Sequence, residues 1–504
     1  MGDAVTVVFD DRASFAWAPP TDDPWGWQAP LNGSYYFNFT GSGNVTPNTD
    51  PGMKGVTITN VTFDPVTYTT AGYINLPDGS PDLMEIVITN TTRNSTAPIG
   101  SGFTNLRIMR PGHENDGLYT LSPELIEMLQ PFDHFRFMGI TGTNTQPGYY
   151  GDVGHHYLDF SNRCLMTDAI IPFSNLRPGC WGIPWEVPIQ VSQATNKGIW
   201  INAPVSATVA SPPDPTSYVY QWAQLLQNGN EFTNNTGLPS TVPIYVEHSN
   251  EVWNYGFGQY IWNKLAAIDE CNITTHPNGC LWNNDNCNDT EKFAQRRHIG
   301  KVYEIGQTFA AVFGNDAMLT RIRPIYADWT IFPDRYNETL TWFNQTYGAP
   351  SKYLYGMAAT AYYGNQPFAN STIDDIYFSY MNSSDSQYAS RAALAEIANY
   401  WGLKLVAYEA GPGWNVGDLA GVNTTIIAQR LYPMRKVVKY DIETSWIPAG
   451  GNEYNYFSLT GYYSRFGQWG STEHFFNLTT PKYCGILDLT NPEGTPLPKG
   501  CQGY

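Results

Sequence analysis

Positive charge is scarce in this chain. Its 504 residues include 27 Lys and Arg against 45 Asp and Glu, a net charge of −18. A nucleic-acid partner needs a basic footprint, so this balance argues against one. It also disfavours anionic membrane surfaces and polyanionic substrates. Charge of either sign amounts to only 14% of residues. No apolar run approaches the ~20 residues needed to span a bilayer. The opening stretch, MGDAVTVVFDD, has no apolar signal region, so a mature chain is expected. Met1-Gly2 with Thr6 fits a myristoylation pattern only formally. Several catalytic signatures are missing as well. No Gly-rich turn opens a helical segment, which removes the usual nucleotide cradle. No Gly-x-Ser-x-Gly elbow is present, which disfavours an esterase. The seven Cys include no CxxC, and no suitably spaced His pair accompanies them, so a zinc site is not expected. His113 and His155-His156 are read as locally hydrogen-bonded. Asn283 to Asp289 is rich in oxygen ligands but lacks the Gly and terminal Glu of a calcium loop. No metal and no cofactor is expected.

What is present points outside the cell. Aromatics reach 15%, with 34 Tyr and 16 Trp, and apolar residues make up 42%, enough for a substantial core. Flat aromatic faces stack on the CH groups of sugars, so low charge with many Tyr, Trp, Asn and Gly fits an extracellular protein that handles carbohydrate. Fifteen Asn-X-Ser/Thr sequons are spread along the chain, at Asn32, Asn38, Asn44, Asn60, Asn90, Asn94, Asn234, Asn272, Asn288, Asn337, Asn344, Asn370, Asn382, Asn423 and Asn477. Such density is expected of a eukaryotic secreted glycoprotein. Cys164 with Cys180, and Cys484 with Cys501, are spaced as local disulfides. Cys271, Cys280 and Cys287 crowd one loop, and which two of them pair is open.

Residues 1–110 alternate apolar and polar positions between Gly, Pro and Asn turns, as in YYFNFTG and GVTITNVTF. They are expected to form an antiparallel β-sandwich-like module. From 111 to 504 strand-like and helix-like stretches alternate. Ser122 begins a helix with Glu124 behind it. FRFMGI, GIWINAPVSA, PIYVEHSNE, LTRIRPIYADW, YLYGMAATAYYG, LKLVAYEAGPG and YNYFSLTG read as strands, with helices between them. Near-continuous apolar strands joined by helices imply a parallel sheet. Seven strands can be counted, and an eighth is sought upstream, in residues 3–9 or 103–111. The expectation is an α/β fold, a (β/α)8 TIM barrel, with the β-module in front.

In such a barrel the site lies at the C-terminal ends of the strands. Glu251 ends PIYVEHSNE and Glu409 ends LKLVAYEAGPG, three strands later. Two carboxylates at one barrel mouth suit glycoside hydrolysis, where one protonates the leaving oxygen and the other attacks the anomeric carbon or activates water. Glu247 is expected to face the barrel core and pair with a base. Trp185, Trp253, Trp329 and Trp414 fall near strand ends, where some would line a sugar cleft.

The stretch VEHSNEV resembles the fourth-strand signature of the large clan of (β/α)8 retaining glycosidases, clan A in type. There a Glu, two variable residues and Asn-Glu close the strand, as Glu247 to Glu251 do here. The resemblance implies that Asn250 contacts the substrate 2-hydroxyl, that Glu251 is the acid/base and that Glu409 is the nucleophile. Arg136 resembles a second-strand Arg beside the nucleophile. Tyr362 or Tyr363 stands where a Tyr bonds that nucleophile, and Trp469 resembles the aromatic floor of the sugar subsite. RFMG with TN after it, PWE, SNEVWN with the following FGQ, and GQWG are similar to a group of secreted, cellulose-binding-type proteins predicted to be glycosidases, in which a β-rich insert precedes the barrel. His248 stands where that group has Tyr, implying a pocket-wall position, and Trp414 is taken as a further sugar contact. The expected partner is a β-linked neutral polysaccharide or oligosaccharide. The contrasting reading is an extracellular structural or carbohydrate-binding glycoprotein that has lost turnover and can self-assemble.

Overall fold

In the computed structural model, residues 4–10, 32–47, 55–77, 83–116, 121–145, 157–168, 180, 182–272, 274, 279–285, 288–365, 370–413, 421–465, 467–474, 476–491 and 496–502 are described. The chain divides into two compact units. One comprises Met1–Thr120 with Asn415–Ile427 and Gly461–Gln468, and the other comprises the rest.

The first unit is antiparallel. Strands β1 (Ala4–Asp10), β2 (Gly33–Thr40), β3 (Ser42–Pro47), β4 (Thr57–Asp64), β5 (Thr69–Leu76), β6 (Leu83–Thr92) and β7 (Thr104–Met109) form two sheets. Their orders are β1-β6-β3 and β4-β5-β2-β7. Alternation drives the packing, since Phe37 and Phe39 on β2 and Ile74 and Leu76 on β5 are buried while their neighbours are less so. They join Val45, Ile86 and Ile88 of the other sheet in one core, which makes the unit a sandwich. Both stretches considered for an eighth barrel strand lie here. β1 pairs with β6 and β7 pairs with β2, each antiparallel, so neither extends the barrel.

The second unit is a TIM barrel. Among the described residues its sheet has seven parallel strands in chain order: β8 (His134–Arg136), β9 (Gly198–Ala203), β10 (Ile244–His248), β11 (Ile322–Ala327), β12 (Gly356–Tyr363), β13 (Lys404–Pro412) and β14 (Glu453–Tyr456). The helices are α1 (Pro123–Leu129), α2 (Glu186–Thr195), α3 (Tyr218–Asn228), α4 (Gly258–Glu270), α5 (Thr290–Phe313), α6 (Pro333–Tyr347), α7 (Ile373–Tyr400), α8 (Val422–Arg430), α9 (Pro433–Tyr440) and α10 (Pro481–Thr490). Local chemistry sets their starts: Ser122, Ser217, Asp289, Thr372 and Thr480 cap α1, α3, α5, α7 and α10. The stretch 423–443 reads as a helix kinked at Pro433, and the structure has two helices there, α8 and α9, divided just before Pro433, which cannot donate the bond that would continue the first.

Every residue of β9 and β10 is buried, because helices cover one face and the barrel interior the other. Ile244 and Val246 of β10 pack toward the helices with Ile199 and Ile201. Tyr245 packs inside with Trp200, Ile325, Ala358, Val406 and Tyr408, drawn from five strands. The sheet curls on itself: Arg136 of β8 reaches Glu409 of β13 at 2.8 Å, and the charge of Glu453 on β14 acts on His134 of β8. Disulfides join Cys164 to Cys180, Cys271 to Cys280 and Cys484 to Cys501. Cys287 lies outside the described residues. No helix among those residues is long and apolar enough to cross a membrane.

Candidate active site

Arg136 is the hub of the barrel mouth. Its guanidinium donates to Glu409 Oε1 at 2.8 Å, to Glu247 Oε2 at 2.9 Å and to Asn250 Oδ1 at 2.9 Å. The fork geometry of Arg suits three acceptors held at fixed angles. Glu247 points into the barrel, as period-two alternation from Tyr245 requires, and Trp200 and Asn202 also donate to it at 2.8 Å each. Burial pushes its carboxyl up, and Arg136 pulls against that. Its partners are all structural, in keeping with the role expected for it.

Glu251 sits just past β10, where the backbone turns sharply. Ser249 and Glu251 both have left-handed φ, 60° and 43°. Such values are strained for residues with a Cβ and gather at functional sites. The Glu251 carboxylate accepts from Tyr408 Oη at 2.9 Å and from Asn254 Nδ2 at 2.8 Å. Its carboxyl is pushed up to about 7, first by burial and then by the charge of Glu409. Both hydrogen bonds and Arg136 pull the other way. Glu251 therefore holds a proton near neutral pH, as a general acid requires.

Glu409 lies at the mouth end of β13, with Arg136 on Oε1 and Tyr362 donating to Oε2 at 2.8 Å. A β-bulge presents it. Ala359 of β12 pairs with Ala407, but Thr360 pairs with Glu409, so β13 carries one extra residue. Ala407 and Ala410 pack against the helices, while Tyr408 and Glu409 both turn inward. Tyr408 also lies under Arg136, 5.0 Å from the guanidinium carbon to the ring centroid. Tyr408 thus reaches Glu251 from the strand that carries Glu409, and alternation counted from Glu409 would have sent it outward. The following glycines keep the mouth open. A Cβ on Gly413 would come within 2.2 Å of Trp469, which packs against Phe457, and Phe457 in turn meets Tyr362.

Asn250 donates to Asn144 Oδ1 at 3.0 Å, and Gln259 donates to the Asn250 carbonyl at 2.8 Å, so the Asn250 amide is fixed in orientation. Gln259 ends the FGQ run and Asn144 lies in the TN that follows RFMG, but the resemblance attached no role to either. Two expected pocket residues lie elsewhere. His248 follows Glu247 by one position and so faces the helices, where its Nδ1 meets His298 Nδ1 of α5 at 2.9 Å. Tyr363 follows Tyr362 in the same way, and its hydroxyl donates to the Val437 carbonyl of α9. Both corrections follow from strand alternation. Trp185 is buried and donates to Tyr218, which makes it core. Trp414, His155 and His156 lie outside the described residues. His113 is bonded locally to Arg110 and Asp116, Asp285 pairs with Arg296, and Asp289 caps α5. Cys164, Asp168 and Cys180 converge, but the two sulfurs are bonded to each other.

No family model matches the chain, and no curated protein matches it. Fourteen solved chains do. They include a modular endo-β-1,4-mannanase of glycoside hydrolase family 26 from Cellulomonas fimi, at 10% identity, covering 54% of this chain and 52% of that one, with a TM-score of 0.28. A glycoside hydrolase family 51 arabinofuranosidase from Xanthomonas axonopodis pv. citri matches at 11% identity, 68% and 62% coverage and a TM-score of 0.35. The catalytic domain of a family 26 endo-β-1,4-mannanase from Bacillus sp. JAMB-750 matches at 10% identity, 55% and 60% coverage and a TM-score of 0.27. The chain thus spans about half to three-fifths of the length of these proteins.

Proposed function

We propose that the chain is a secreted glycoside hydrolase that cleaves a β-linked neutral polysaccharide by a retaining two-glutamate mechanism. The observation that carries this reading is the unequal setting of two carboxylates around Arg136: Glu409 is paired with the guanidinium and Tyr362, while Glu251 is buried and raised to about 7. Environments that separate two carboxyl groups assign the acid and the base. In the proposed cycle Glu251 donates its proton to the glycosidic oxygen as that bond breaks. Glu409 attacks the anomeric carbon and forms a glycosyl ester. Glu251, now a carboxylate, takes a proton from water, which attacks the same carbon and releases Glu409. Asn250 holds the 2-hydroxyl, and Trp469 with Phe457 supplies a face for the retained sugar ring. The disulfides and the dense sequons support secretion.

Glu251→Gln and Glu409→Gln are each expected to lower hydrolysis of β-glucans, xylans or mannans by at least ~100-fold, the scale of general acid–base catalysis. Proton NMR of the first-formed product should show the anomeric configuration of the substrate. Variants as active as the wild type across the whole panel would sink the proposal, and an inverted first product would remove the retaining step.

A further inference from the structure

Two aromatic groups flank the carboxylate pair, and only one of them has a role so far. Tyr362, Phe457 and Trp469 belong to the β12–β14 side, next to Glu409, with ring centroids 6.0 and 5.7 Å apart. The other group follows β10 and β11, next to Glu251. Trp253 and Trp329 stack with centroids 5.3 Å apart and planes 21° apart. Tyr255 and Phe332 meet Trp329 edge-on at 5.7 and 5.2 Å. This second group is incompletely covered, with Tyr255 50% and Phe332 45% exposed. The Trp253 indole N–H finds no acceptor among the described residues, an unusual state for a donor hidden from water.

We infer that Trp253, Trp329, Tyr255 and Phe332 form a binding surface for the pyranose ring on the leaving-group side of the cleaved bond. The inference rests on the two-glutamate reading above. An acid must stand beside the oxygen that leaves, while a nucleophile stands beneath the anomeric carbon of the ring that stays. Trp253 comes two residues after Glu251, and Trp329 comes two residues after the end of β11, the strand next to β10. The aromatic surface is therefore continuous with the acid and separated from Glu409 by β12. A sugar there offers CH groups to the rings.

The test compares two substrate kinds on Trp253→Ala, Trp329→Ala and Trp253→Phe. β-Linked oligosaccharides of four to six units, a length of about that order being enough to fill both sides of the bond, report both surfaces. Glycosyl fluorides of glucose, xylose and mannose have a single-atom leaving group and report only the Glu409 side. The Ala variants are expected to lose roughly tenfold or more in kcat/KM on oligosaccharides, with the fluorides unchanged. Trp253→Phe should keep most of the oligosaccharide rate. Equal losses on both substrates would mark a merely structural role, and no loss on either would also overturn the inference. If the wild type hydrolyses neither kind, the catalytic reading fails by itself. Binding of the oligosaccharides, read by calorimetry, then decides this surface: loss in Trp253→Ala sustains it, and binding equal to wild type, or none at all, refutes it.

Discussion

Tyr408 and Glu409 are adjacent in the chain yet both face the barrel interior, where Tyr408 donates to Glu251 and Glu409 accepts from Tyr362. Sequence alternation points one of them outward, which is why Tyr408 carried no signal while Glu251, Glu409, Arg136 and Asn250 did. Those four are polar residues at strand ends, where a polar side chain among apolar neighbours is conspicuous. His248 and Tyr363 show the reverse error: each sits one step from a residue that does face the interior. Tyr408 donates to Glu251 and so favours its charged form. Tyr408→Phe is expected to let the Glu251 carboxyl rise further, moving the alkaline limb of the kcat/KM profile above its wild-type position near pH 7. The maximal rate should fall about fivefold, one hydrogen bond's worth at ~1 kcal/mol. A full pH–rate series on both proteins checks this, and an unmoved or lowered limb would contradict it.

At the level of elements, strands and helices were largely readable because a fully buried parallel strand is a short apolar run and α5 is strongly periodic. Two things were not readable. The pairing partner of an isolated strand is a long-range fact, so β1 and β7 could be taken for barrel strands. The tie between α5, β10 and β11 depends on two histidines: His248 meets His298, whose Nε2 donates to the Ala327 carbonyl. Burial holds His298 at about 4 and His248 well below its usual value. Asp328 opposes this for His298, while Arg335 and Arg297 add to it; Arg297 and Lys301 act in the same direction on His248. The unfolded chain binds protons near pH 6.5 that the folded chain refuses, so stability is present above that value and drains away as pH falls toward 4. His298→Gln is expected to cost about 1–3 kcal/mol at pH 7 through the lost pair. It should also flatten the decline between pH 6.5 and 4, as urea titrations at stepped pH would show.

For the whole molecule, the sequons gain meaning from exposure. Asn38 is half-buried and the other fourteen sequon asparagines are exposed, on both units. Acceptor sites spread without regard to the fold would have put several in the core. Protein secreted from a eukaryotic host should lose on the order of several kilodaltons when treated with a glycosidase specific for N-linked glycans, with most sites occupied by peptide mapping. An unchanged mass would argue against a glycoprotein. The left-handed backbone at Ser249 carries a cost of another kind. Its side chain is fully buried, its hydroxyl has no partner among the described residues, and its φ of 60° suits glycine better than serine. Ser249→Gly is therefore expected to raise the melting temperature by a few degrees, relief of ~1 kcal/mol of strain and desolvation, while lowering activity by freeing the turn that aims Glu251. Selection for folding alone would discard this serine. A thermostability screen blind to turnover should recover the glycine, and the most robust version of the protein would then be a poorer enzyme.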